Sequence, residues 1–70
     1  MESMNETDRR NQELVRLVVQ REAEHGECVV TEPDLVSAYT FLSFGEFVAI
    51  EPVDGGGLRV TVAPKGRHWL

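Results

Sequence analysis

The stretch FVAIEPVDGGGLRVTV, residues 47–62, decides the fold that the sequence predicts. Its first part, residues 47–51, is rich in β-branched and aromatic side chains, and Pro52 fits the end of a strand. Asp54 and the three glycines after it are typical of a turn, because glycine adopts positive φ without strain. Residues 58–62 then alternate apolar and polar side chains, as a half-buried strand does. The stretch therefore predicts a β-hairpin closed by a glycine-rich turn.

A long helix is predicted ahead of the hairpin, over residues 7–24. Asn5 or Thr7 can cap its beginning, and Gly26 suits the left-handed position just after its end. Residues 1–6 are expected to be disordered. The apolar stripe of the helix comprises Leu14, Leu17 and Val18 at helical spacing, widened by Val15, Val19 and Ala23.

A second helix is predicted to begin near Thr31, which can cap it, with Pro33 in its first turn. Gly45 ends this helix. Phe41 and Phe44 lie off its apolar stripe, so at least one of them is expected to be exposed or to contact a partner. The stripe itself comprises Leu35, Tyr39 and Leu42.

Two short segments complete the expected architecture. Residues 27–30 are partly β-branched and form either a brief strand or an extended connector. Pro64 opens a last turn or short helix that carries Lys65, Arg67 and Trp69 to the C-terminus. The predicted fold class is α+β in a single small domain: a long N-terminal helix, a second helix, a two-stranded β-hairpin and a short C-terminal helical turn.

The charge of the chain is unevenly distributed. The net charge is −5 over 70 residues, which form one domain at most. Residues 1–28 hold seven acids against four arginines, and residues 29–57 hold five acids and no Lys, Arg or His. Residues 58–70 hold three cations and no acid. A nucleic-acid surface needs clustered cations, and only the last segment offers any.

Several classes of protein are disfavoured by the residues present. Cys28 is the only cysteine, which suits a reducing cytoplasm and argues against a disulfide framework or a multi-cysteine zinc site. The longest apolar run, residues 47–50, is far too short to span a membrane. The polar, acidic N-terminus resembles neither a signal peptide nor a transit peptide. We expect a cytoplasmic protein that does not contact the membrane.

No catalytic, cofactor or metal site is predicted. His25 and His68 lie far apart in the sequence and lack neighbouring cysteines or suitably spaced carboxylates. The triple glycine precedes a strand, whereas a phosphate-binding glycine loop precedes a helix. Cys28 is interpreted as a small core residue. We therefore expect neither an enzyme nor a small-molecule ligand.

The order of helix, short strand, helix, hairpin and terminal helix resembles the winged-helix superfamily. The match is strongest over residues 31–70. Many winged-helix regulators end their second wing strand with leucine-threonine, one or two residues, lysine-glycine-arginine and an apolar pair. Here Val62-Ala63 stands in for leucine-threonine, while Lys65-Gly66-Arg67 and Trp69-Leu70 agree.

The resemblance implies a DNA-binding transcriptional regulator that uses its wing and its basic C-terminus. Two features of the sequence depart from that expectation. Only 18 residues separate Gly26 from Gly45, which fit one helix and a connector instead of two helices. The candidate recognition helix, residues 34–44, also lacks Arg, Lys, Asn and Gln, the side chains that make most bidentate base contacts and phosphate anchors.

The leading hypothesis is therefore an abbreviated winged-helix-like interaction module that works through protein–protein contact, with a protein partner or a second copy of itself. The alternative is the DNA-binding regulator. The three C-terminal cations form either a contact patch or a counterweight to the acidic remainder of the domain. The candidate contact residues are Arg59, Lys65, Arg67, Phe41, Phe44 and Trp69.

Overall fold

The computed structural model of the chain describes residues 5–70 and is α+β. Asn5 and Glu6 belong to the first helix and its cap, and the rest of the segment expected to be disordered lies outside the described residues. The elements in chain order are α1 (Glu6–His25), β1 (Cys28–Val30), α2 (Pro33–Phe44), β2 (Val48–Pro52), β3 (Leu58–Val62) and a 3₁₀-helix (Pro64–Trp69).

The first helix is capped at both ends by residues that the sequence indicates. The Asn5 side chain accepts a hydrogen bond of 2.8 Å from the Asp8 amide, which satisfies one of the free N–H groups of the first turn. At the other end, Gly26 adopts φ +84° and donates its N–H to the carbonyl of Glu22. The predicted caps are confirmed, and the helix extends one residue beyond the predicted range at each end.

The N-cap of the second helix lies one residue later than predicted. Its N-cap is Glu32, and the prediction that Thr31 caps it is wrong. The reason is Pro33, which occupies the first helical position and holds the residue before it in an extended conformation. The Glu32 side chain makes no capping bond; it accepts hydrogen bonds from the Thr31 amide and from Arg21.

The three strands form one antiparallel sheet in the order β1-β3-β2. The segment that could be either a strand or a connector is β1, and the predicted hairpin thus lies within a three-stranded sheet. β3 is the central strand, and Val60 lies opposite Cys28 on β1 and Ile50 on β2. As the alternation predicts, Leu58 and Val60 are buried while Arg59 is exposed.

A single apolar core joins both helices to the sheet. Tyr39 is fully buried, and its hydroxyl donates a hydrogen bond of 2.6 Å to the carbonyl of Leu14, which ties α2 to α1. Burial raises the pKa of the Tyr39 phenol and of the Cys28 thiol, so both stay neutral. The core residues are Val15, Val18, Cys28, Val30, Tyr39, Leu42, Val48, Leu58 and Val60.

The terminal 3₁₀-helix packs directly against the beginning of β2. Gly66 is buried there, and a Cβ at this position would collide with the carbonyl oxygen of Phe47. The same carbonyl accepts a hydrogen bond of 3.1 Å from the Ala63 amide. The central residue of the Lys-Gly-Arg segment is therefore a glycine because two backbones approach too closely for any side chain.

We expect Gly66→Ala to lower the free energy of unfolding by about 2–3 kcal/mol, because an added methyl group would force the two backbones apart. The matched control is Gly26→Ala. No atom lies within 4 Å of a Cβ there, so only the cost of positive φ remains, about 1 kcal/mol. Urea unfolding followed by far-UV circular dichroism measures both. Equal losses in the two variants would contradict this account of Gly66.

Because the Cys28 thiol is buried, we expect the domain to lose stability at alkaline pH. Burial raises the pKa of Cys28 above its ordinary value of 9.0. The neutral thiol therefore contributes fully to the free energy of unfolding below that pH, and this contribution is lost as the pH rises through the folded-state pKa. The melting temperature should therefore fall above about pH 9. In Cys28→Val, which has no titrating thiol, the fall should be shallower. Identical pH profiles for the two proteins would refute this assignment.

Candidate contact surfaces

Arg59 lies on the solvent face of the central strand and is held by two carboxylates of its own domain. Its Nε donates a hydrogen bond of 2.9 Å to Glu27, and its Nη1 donates to Glu51 on the neighbouring strand. Both contacts raise the pKa of Arg59, and the hydrogen bond to Glu27 has the larger effect. Its charge is thus balanced by acids within the domain, as one of the two sequence interpretations expects.

Lys65, Arg67 and Trp69 lie on the terminal 3₁₀-helix, in three different environments. Lys65 places its Nζ 5.6 Å from the ring centroid of Phe47, within the range of a cation–π contact. Arg67 is exposed and forms no ion pair within residues 5–70. The three cations of this part of the chain therefore do not form one uniform patch.

Trp69 is half-buried and serves as a packing residue. Its ring lies 4.5 Å from that of Phe47, measured between centroids, with a tilt of 37°. Its carbonyl accepts a hydrogen bond of 3.4 Å from the Gln12 side chain, so the C-terminus is tied to α1. The structure thus separates Trp69 from the two phenylalanines that the sequence grouped with it.

Phe41 and Phe44 are the most exposed large apolar side chains of the described residues. They are 74 % and 78 % exposed and lie one turn apart on α2. Tyr39 and Leu42 on the same helix are buried, as their spacing predicts. Two neighbouring aromatic rings in water are an unusual feature for a domain with so small a core.

Phe41 borders a groove of about 520 Å³ between α1 and α2. Leu14 and Ala38 contribute apolar surface to it, while Arg10 and Asp34 bring opposite charges. The groove is open to solvent and combines an aromatic side chain with charged groups. These are features of a surface that contacts another macromolecule.

One side of α1 remains accessible although it carries part of the wide apolar stripe that the sequence predicts. The sequence places Leu17 in the apolar stripe, but only Val15 and Val18 are fully buried on this helix, and Leu14 and Leu17 remain partly exposed. The apolar positions of α1 cover an arc too wide for one buried face. Val19, which is 39 % exposed, lies on the other side of that arc.

Within residues 5–70, no group of three or more His, Cys, Asp or Glu side chains is arranged to hold a metal ion. None of the helices in this part of the chain has the length and apolar character needed to cross a membrane.

Comparison of the chain with protein-family models, with curated proteins and with solved structures gives no match. The winged-helix resemblance therefore stays a prediction from the residues that suggested it.

The contact between Phe47 and Trp69 yields a spectroscopic prediction, because Trp69 is the only tryptophan. Phe47→Leu removes the ring on which Trp69 packs, so acrylamide should quench its fluorescence more strongly in this variant. Phe44→Leu is the matched control, since Phe44 is exposed and the change in side chain is the same. Equal quenching in both variants and the wild type would show that the ring contact does not shield Trp69.

Proposed function

We propose that the chain is a small interaction module that works through protein–protein contact, with a second copy of itself as the first partner and without catalysis of its own. The observation that carries this proposal is the exposure of Phe41 and Phe44 on α2, where Phe41 borders the groove between the two helices. Covering a phenylalanine side chain contributes about 1.5–3 kcal/mol, so an interface that includes both rings gains substantially.

The size of the domain supports self-association. A chain of about 70 residues buries only about 60 % of the surface that its unfolded form exposes, which makes its stability marginal. A second copy adds buried apolar area without requiring a different protein. The exposed rings of α2 are the natural place for that area, because the other large aromatic side chains pack within the domain.

The chemistry of α2 favours protein contact over reading of DNA. Thr40 donates its hydroxyl proton to the carbonyl of Val36 at 2.7 Å, and Ser43 donates to the carbonyl of Thr40 at 2.6 Å. The Tyr39 hydroxyl is likewise bonded, to the carbonyl of Leu14. Three of the four hydroxyl groups on this helix thus donate to backbone within the domain, which leaves few groups for base edges.

The charges of the domain also favour protein contact over DNA binding. DNA binding requires cations that are free to neutralise phosphates. Arg59 is paired with two carboxylates, and Asp34 and Glu46 add negative charge at the two ends of α2. DNA binding through Arg67 and Lys65 is therefore the alternative to self-association.

We expect sedimentation equilibrium to show a reversible dimer of the wild-type chain. Phe41→Ser/Phe44→Ser should weaken dimerisation more than tenfold, which corresponds to about 1.4 kcal/mol. Val19→Ser is the matched control, because it removes a partly exposed apolar side chain on another side of the domain, and it should leave the dimer unchanged.

Two results would overturn the proposal. One is a wild-type chain that stays monomeric at millimolar concentration. The other is tight, salt-sensitive binding to DNA fragments that is lost in Arg67→Ala and retained in the phenylalanine double variant, which would establish the alternative.

A further inference from the structure

We propose that two copies of the chain pair through the outer face of α1, with the two helices antiparallel and a twofold axis at Leu17. This pairing rests on the proposed self-association and adds to it the surface and the register. The outer face is the exposed and partly exposed side of α1 formed by Arg10, Glu13, Leu14, Leu17, Gln20, Arg21 and Glu24.

These seven residues lie on one side of the helix. At 3.6 residues per turn they occupy an arc of roughly 120°, and Leu17 lies at its middle. Val15 and Val18, which are fully buried, point to the other side, toward the sheet. Leu17 also borders both of the shallow depressions along this face, one toward each end of the helix. The face is therefore accessible and is centred on an apolar side chain.

The charges of the outer face are complementary to themselves only in the antiparallel arrangement. With the axis at Leu17, residue numbers that face each other add to 34. Arg10 of one copy then faces Glu24 of the other, and Glu13 faces Arg21. Twofold symmetry repeats each pair, so four contacts of opposite charge surround the two leucines. A parallel arrangement would instead place each charge against its own copy, which is repulsive.

Arg21 is positioned for a second partner. Its side chain donates to the carbonyl of Val29 at 3.5 Å and to Glu32 at 3.1 Å, which holds the guanidinium near the surface. A guanidinium carries five N–H donors, so several remain for Glu13 of the second copy. An arginine that is already held in place loses less side-chain entropy when it forms a further ion pair.

The outer face continues into the groove that holds Phe41. Arg10 and Leu14 border both the groove and the outer face. In the antiparallel pair, the C-terminal half of one α1 lies over the N-terminal half of the other and so reaches this groove. A stable interface covers about 800 Å² per partner, about a sixth of the 4995 Å² that this chain exposes.

The register is tested by reversing charges and then restoring the pattern. Arg10→Glu and Glu24→Arg should each weaken the wild-type dimer at least fivefold in low salt, because each change creates two repulsive contacts per dimer. The double variant Arg10→Glu/Glu24→Arg should regain the wild-type affinity. An equimolar mixture of the two single variants should also associate more tightly than either alone. Arg67→Glu makes the same charge change elsewhere and should have no effect.

Cross-linking tests the position of the twofold axis independently. Leu17→Cys should form a disulfide-linked dimer under mild oxidation, because the two introduced thiols meet at the axis, while Cys28 is fully buried and does not interfere. Val19→Cys, two residues away on another side of the helix, should remain monomeric on a non-reducing gel.

The outcomes separate this register from self-association in general. A wild-type dimer whose affinity ignores the charge reversals, and in which Leu17→Cys cross-links no better than Val19→Cys, would overturn the α1 pairing and leave self-association standing. A wild-type chain that does not dimerise at all would overturn both.

Discussion

The pairing of β3 with a strand on each side is the constraint on which the rest of the structure depends. β3 joins the chain segment after α1 to the segment after α2, and Val60 lies opposite residues of both. A two-stranded hairpin alone is marginally stable in water, whereas three strands covered by helices on an apolar face form a core. The remaining features follow from this arrangement, because it fixes the ends of β1 and β2 and gives both helices a surface to cover.

The parts of the fold that depend on local signals could be predicted from the sequence. The caps of α1, the buried stripe of α2 and the alternation of β3 all depend on neighbouring residues. β1 could not be distinguished from a connector, because three residues carry no periodicity and their conformation depends on pairing with a strand that begins 28 residues further along. The cap of α2 was predicted one residue too early because Pro33, rather than the best capping side chain, sets where that helix begins.

The contact surfaces were less predictable, since they depend on which side chains the fold brings together. Arg59, Lys65 and Arg67 form a cluster in the sequence, but Arg59 is paired with Glu27, 32 residues away, and Lys65 lies near the Phe47 ring. Trp69 and Phe44 are both aromatic residues that the sequence predicts as candidate contacts, yet Trp69 packs within the domain and Phe44 is exposed. The resemblance to winged-helix proteins is compatible with the element order. The proposal of protein contact instead of DNA contact rests on α2, which carries no basic side chain and bonds three of its four hydroxyl groups to the backbone of its own domain.

The central claim is that the helices, and not the hairpin and basic C-terminus, form the contact surface of this domain. The most direct measurement is a concentration series of ¹H–¹⁵N correlation spectra of the wild-type chain. We predict that amide shifts of residues 10–24 and of Phe41 change on dilution from millimolar to micromolar concentration, while those of Arg59 and residues 64–69 stay constant. Changes confined to the hairpin and the C-terminal helix, or no change at all, would contradict the account.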